Sequence, residues 1–324
     1  MYNTIKLEKG MYNLTGKSFT QALEALDPSA AYADTPLAGS DAFQRQLKRF
    51  DIHLNGSDCD RVEKFFTTTE SAVLFPEFIR RAVLAGMNDG ILQDLTAAET
   101  KITGTSYTGF TIDHGNSAYT ATTAAGGTLP TTEIEMASSA TTLSKFGRLI
   151  TASYEVIRQQ RLDVFAVMLR SIGMKLANAI TSQALTTLYG STTPAALQDS
   201  TAGFTYADLA ALCGSFSEYK LTTVVTTPAI MASILSMTQM EHVSQDADGS
   251  VLLPFGAKLV KSASLSGNKV LGLDKRFALE MISSAELILE TDKLIDCQLD
   301  RIGISFSVGF RTLLADAVKS ISWT

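Results

Sequence analysis

Cysteine is scarce in this 324-residue chain. Cys59, Cys213 and Cys297 are odd in number, far apart and without a CxxC pair. That excludes a disulfide framework and points to reduced, mostly buried thiols. Histidine is equally thin: His53, His114 and His242 are scattered, and none has a second ligand three or four residues away, so no metal site is assigned. No uninterrupted apolar run approaches the roughly 18 residues of a membrane span. The opening MYNTIKLEKG lacks the apolar stretch of a signal peptide, so a soluble protein with no membrane partner is expected. A net charge of −6 leaves little clustered Lys and Arg for a dedicated DNA reader. It does not exclude a container whose inner wall merely faces nucleic acid.

Catalytic patterns are missing too. In GMYNLTGKS, Gly10 to Ser18, five residues separate the glycines where a phosphate-binding P-loop needs four, and no buried strand precedes them. There is no GxSxG serine and no cysteine in a nucleophile setting. The acidic pairs Glu133/Glu135 and Asp246/Asp248 read as solvated edges rather than as general acid and base. Arg45, Lys48 and Arg49 read as the wet face of a short helix. No catalytic, cofactor-binding or metal residue is assigned, and the chain is expected not to be an enzyme.

What is present is a core-sized chain, 45% hydrophobic and 19% charged. Its most informative segment, Thr103 to Thr142, reads TGTSYTGFTIDHGNSAYTATTAAGGTLPTTEIEMASSATT. Strand-favouring residues come in short runs, with too few large apolar side chains for a core. A helix of seven or eight turns follows at about 160–189, with Phe165, Leu169, Ile172, Leu176 and Ile180 on one face and Met168 and Ala179 widening it. Gly173 in mid-helix points to close packing. A hairpin that cannot fold alone, mounted on a rigid spine, makes sense when neighbouring copies cover it.

Elsewhere the first sixty or so residues read as an arm. Ser18 caps a short helix, FTQALEAL, Pro28 stops it, and a second helix follows in DAFQRQLKRF. Their stripes around Phe19, Leu23, Phe43 and Leu47 must dock on something. AVLF, Ala72 to Phe75, reads as a buried strand, and Pro76 opens the helix after it. From Thr205 the texture is α/β: a capping box with Asp208, a strand at LTTVV, a helix opened by Thr227-Pro228, and three short strands. Ile302, Ile304, Phe306, Val308 and Phe310 alternate as a closing strand.

In this order, four stretches resemble the major capsid proteins of tailed bacteriophages, with the Hong Kong ninety-seven fold. They are TPLAGSDAFQRQLKRFDI with VEKFFTTTESAVLFPEFIRRAV, GGTLPTTEIEMASSATTLSKFGRLITASYEVI, DVFAVMLRSIGMKLANAITSQAL, and TTVVTTPAIMASI with LPFGAKLVKSASL and CQLDRIGISFSVGFRTLLADAVKSI. The resemblance implies an α+β fold with an N-terminal arm at 1–62. It implies a peripheral domain at 63–102, 143–203 and 286–324, an extended loop at 103–142, and an axial domain at 204–285. It also implies self-assembly as hexamers and pentamers into an icosahedral shell around double-stranded DNA, formed in the bacterial host cytoplasm. Portal and decoration proteins are implied partners, and so is scaffolding, either as a separate protein or as a cleaved segment ahead of this numbering. Expected intersubunit contacts are Phe19, Leu23, Phe43, Leu47, Tyr107, Phe110, Gly126, Gly127 and Leu129. Some family members cross-link through a loop lysine; no lysine lies between Lys101 and Lys145, so a non-covalent shell is expected. An encapsulin-type compartment, which shares the fold, is the alternative.

Overall fold

A computed structural model describes residues 5–14, 17–113, 127, 131–199, 203–241, 244–246, 249–284, 287–294 and 299–323. Helix starts follow the caps that the sequence supplies. Ser18 and Gln21 close a reciprocal capping box on α1 (Phe19–Leu26), and Asp41 and Gln44 do the same for α2 (Ala42–Arg49). Thr68 and Ser71 cap α3 (Thr69–Ala72), and Pro76 stands in the first turn of α4 (Phe75–Asn88). The strand expected at Ala72–Phe75 is therefore the junction of two helices. Its burial is as expected, with Val73, Leu74 and Phe75 inside, but four apolar residues do not distinguish a strand from a buried helix end.

The chain then turns to strand: β1 (Thr96–Ile102), β2 (Ser106–Tyr107), β3 (Phe110–Asp113), β4 (Glu133–Met136), β5 (Thr141–Thr142) and β6 (Ser144–Ser153). Helices α5 (Tyr154–Gln159) and α6 (Leu162–Gly190) follow, then α7 (Tyr206–Gly214), started by the Thr205/Asp208 capping box. Next come β7 (Thr223–Thr226) and α8 (Pro228–Leu235), which Thr227 caps. The stretch expected as a loop after α8 holds the short antiparallel pair β8 (Ser244–Gln245) and β9 (Val251–Leu252). Six more strands complete the set: β10 (Lys258–Lys261), β11 (Asn268–Leu273), β12 (Leu279–Ser284), β13 (Ile288–Leu294), β14 (Leu299–Thr312) and β15 (Val318–Trp323).

These elements form two compact units, one of residues 1–90, 146–179 and 286–306, the other of 91–145, 180–285 and 307–324. The first has an aromatic core in which Phe75 stacks on Phe165 at 6.2 Å and packs against Phe65 at 5.5 Å. Within it α4 and α6 meet backbone to backbone. A Cβ on Gly86 would lie 2.0 Å from the Arg170 carbonyl oxygen, and one on Gly173 2.1 Å from that of Val83. The close packing expected at Gly173 is there. β13 and β14 pair antiparallel in the same unit, from Ile288↔Ser305 to Leu294↔Leu299.

The second unit is built on a six-stranded mixed sheet in the order β15-β11-β7-β10-β9-β8. Leu209, Leu212, Val224, Ile230, Ile234 and Val270 are buried in its core. Its last strand pairs with β11, so β15 lies in the sheet of the 204–285 segment. Also in this unit, β1 runs parallel to β12, and β12 pairs antiparallel with β14 from Leu279↔Thr312 to Ser283↔Val308.

Helix α6 is long and apolar enough, by length and composition, to cross a membrane. Its apolar residues divide between two destinations, however. Phe165, Leu169, Leu176 and Ile180 are buried in the protein, as expected from their spacing, and Arg170 on its flank pairs with Asp89 at 2.8 Å. That is the pattern of a core helix with one free face.

Candidate assembly surface

The β3–β4 hairpin explains its own geometry through a simple alternation. Opposite pairs are Phe110↔Met136, Thr111↔Glu135, Ile112↔Ile134 and Asp113↔Glu133. Successive strand residues point to opposite faces, so Phe110, Ile112, Ile134 and Met136 share one face and the acidic and hydroxyl residues share the other. That apolar face is open: Phe110 is 52% exposed, Ile112 39%, Ile134 70% and Met136 74%. A two-stranded ribbon is marginal in water on its own. Covering such side chains is worth roughly 1.5–3 kcal/mol each.

A second apolar surface lies on the other unit. Val156, Val164, Val167, Met168 and Met174, on α5 and α6, are all exposed large hydrophobic side chains. Val164, Val167 and Met168 recur at three- and four-residue steps, so they form one stripe. Met168 was expected to widen the buried face, as was Ala179; both are exposed, and Ile172 is half-buried. The apolar positions of α6 wrap too far round the helix for one core to cover. Beside it Arg161, Arg170 and Lys175 are exposed, Arg161 paired with Asp163 and Arg170 with Asp89, each at 2.8 Å.

The expected contact residues divide sharply. Phe19, Leu23, Phe43 and Leu47 are buried within the chain itself, which corrects their reading as surface offered to a neighbour. Arg45, expected on a wet helix face, is 1% exposed. Its Nε donates to Asp27 Oδ2 at 2.8 Å, its Nη1 donates to the Ser40 carbonyl at 2.6 Å, and its guanidinium lies 4.3 Å over the Tyr32 ring. This network draws α1 and α2 together inside their own unit. Tyr107 is half-buried, pairing with Thr141 in β2–β5, while Phe110 and Gly127 are exposed. Gly126 and Leu129 lie outside the described residues, as do His114, His242 and Cys297. Ile112, Ile134 and Met136 had the signal that would have found them: the alternation in FTID and EIEM, read as a pair. Among the described residues no three His, Cys, Asp or Glu side chains gather as a metal site.

Residues 133–286 match the family model of a phage capsid protein. No characterised relative matches the chain at the level of sequence. Among solved structures, the capsid of a native GTA particle aligns with TM-score 0.53 at 14% identity, over 74% of this chain and 90% of that one. The capsid of cyanophage P-SCSP1u aligns at 0.50 and 14% identity, over 72% and 88%. The holo-SrpI encapsulin complex from Synechococcus elongatus aligns at 0.52 and 11% identity, over 70% and 84%. At such identities the structures speak for the fold, and the family match speaks for the role. Over residues 133–286 the chain is similar to the phage capsid protein family, and its fold is that of the Hong Kong ninety-seven-type capsid proteins.

Proposed function

We propose that the chain assembles as hexamers and pentamers into a closed icosahedral shell around a double-stranded DNA genome. Four parts divide the work: an arm at 1–62, a peripheral domain at 63–102, 143–203 and 286–317, an extended loop at 103–142, and an axial domain at 204–285 whose sheet β15 joins. Scaffolding, portal and decoration proteins are its further partners, and assembly takes place in the host cytoplasm. The observation that carries the reading is the open apolar face of β3–β4, which a single chain leaves without cover. Its occupant in the shell is the exposed α5–α6 stripe of a second copy. Apolar side chains match apolar on the two surfaces, and covering them removes both from water. Closure multiplies such modest contacts, because a subunit leaves only by breaking all of them together.

The test is a paired cysteine variant, Ile134→Cys with Val167→Cys, oxidised after assembly. Disulfide-linked ladders of two to six chains are expected on non-reducing gels of purified particles, and each single variant should stay monomeric. Intact particles with no ladder would place the hairpin elsewhere. An encapsulin-type compartment is the second reading, favoured by the shared shell fold of the encapsulin complex. Nucleic acid inside purified particles supports the capsid, and a packaged protein cargo supports the compartment.

A further inference from the structure

The extended loop leaves the body of the subunit at a place built to hold it. Arg311, on β14, stands opposite Glu280 on β12. Its Nε and Nη2 donate to Glu280 Oε2 at 3.2 and 2.8 Å, and Glu280 Oε1 accepts the Thr100 hydroxyl at 2.6 Å. The remaining arm of the fork, Nη1, donates to the Phe110 carbonyl at 2.8 Å, at the point where β3 begins. The guanidinium also lies 5.9 Å from the centre of the Phe110 ring. Just before it, a Cβ on Gly109 would fall 2.1 Å from Arg311 Nη1, so glycine is what leaves the arginine room.

The returning strand is met in the complementary way. Gly309 lies two residues before Arg311, hence on the same face of β14. A Cβ there would approach the Thr142 carbonyl oxygen to 3.0 Å and the Thr141 methyl to 3.1 Å. One arm of the loop therefore has glycine against arginine, and the other rests directly on a glycine. Two backbone bonds close the base between the arms, Ala137 N–H to Gly109 and Leu143 N–H to Thr105, both at 2.9 Å.

We propose that Gly309 and Arg311 form a seat that aims the extended loop, with Arg311 as its positioning residue. This rests on the reading of that loop as the assembly element. The sheet makes the seat rigid, because β14 is paired with β12 along this stretch. The planar fork bonds a side-chain carboxylate and a main-chain carbonyl at once, which the point charge of a lysine does not reproduce. A pre-aimed loop meets its neighbour without ordering its root during assembly, and that lowers the entropic cost of each contact.

The full-length subunit, held below the concentration at which particles form, tests this by amide hydrogen exchange. In Gly109→Ala and in Arg311→Lys, amides of β3 and β4 should exchange at least tenfold faster than in the parent. Those of β12 and β14, and the melting temperature, should be unchanged, and shell yield should then fall at least tenfold. Unchanged hairpin exchange in both variants would overturn the seat. So would equal acceleration throughout β12 and β14, since Arg311 would then serve the sheet alone. Because exchange is read before assembly, a parent chain that forms no shells would sink the capsid reading while leaving this one standing.

Discussion

Residues 17–49 and 106–142 carry similar apolar loads in sequence, and each is too small to hold a core, yet the N-terminal helices and the β3–β4 strands end up in opposite states. The N-terminal helices fold back on their own unit: Phe19, Leu23, Phe43 and Leu47 are inside, and Asp27 and Arg45 form a buried pair. A second polar anchor joins them to α4. Glu77, fully buried, accepts from the Thr20 hydroxyl at 2.7 Å and from Arg80 and Arg81 at 2.8 Å, and Arg81 reaches on to Asp41. The β3–β4 hairpin meets Arg311 at its root, beside Phe110, while Ile112, Ile134 and Met136 further along its apolar face stay exposed. Apolar content alone does not decide where a weak segment docks. Polar groups that find their counterparts within the chain do, because a buried charge left unpaired is far more costly than an exposed methyl group is.

Removing one of those counterparts should have the largest effect on the subunit. Asp27→Ala strands the Arg45 guanidinium in a buried site, and breaking such a pair costs about 3–5 kcal/mol. Denaturant unfolding of the subunit should show that loss. A change below about 1 kcal/mol would mean that the N-terminal helices are not held at home, and the contrast with the loop would collapse.

A smaller effect should come from acid. Glu24 is pushed up by its partial burial, but hydrogen bonds from Ser29 and Ala42 and the nearby Arg45 charge outweigh this and hold it below its ordinary value of 4.5. A carboxyl with a depressed folded value stabilises the fold above its unfolded value and loses that contribution as pH falls through the folded one. Amide protection of α1 and α2 should therefore weaken below about pH 4.5, and Glu24→Gln should flatten the acid dependence. Were α1 and α2 equally protected at pH 3 and pH 7 in the parent, Glu24 would not be a link between them.

Much of this contrast was hidden in the sequence for a definite reason. Local signals read well: the caps at Ser18, Thr205 and Thr227, Pro76 at a helix start, and the alternation through Ile302, Ile304, Val308 and Phe310 all stand in the structure. The Asp27–Arg45 pair spans 18 residues and has no periodicity, so Arg45 looked like an ordinary surface charge. Periodicity also marks which side chains share a face but not whether that face is covered. Hence the helical period groups Met168 with buried residues although it is exposed, and the short strands leave Ile134 and Met136 unmarked.

The hairpin itself should sharpen the comparison most, through the smallest change in the subunit. Ile134→Ser with Met136→Ser removes two side chains that are 70% and 74% exposed, so little burial is lost within one chain. Substitutions at such surface positions usually stay within about 0.5 kcal/mol, and the melting curve of the unassembled subunit should match the parent. On the proposed contact the same side chains are covered in the shell, and each variant side chain loses roughly 1.5–3 kcal/mol of burial there. That loss recurs at every copy around a closed shell, so sedimentation and electron microscopy should find free subunits or capsomers in place of particles. Asp27→Ala lowers stability first and assembly only as a consequence, whereas this variant should separate the two. Normal shells from the double serine variant would mean that the exposed face of β3–β4 is a solvated surface, and that the loop gains its order from some other contact.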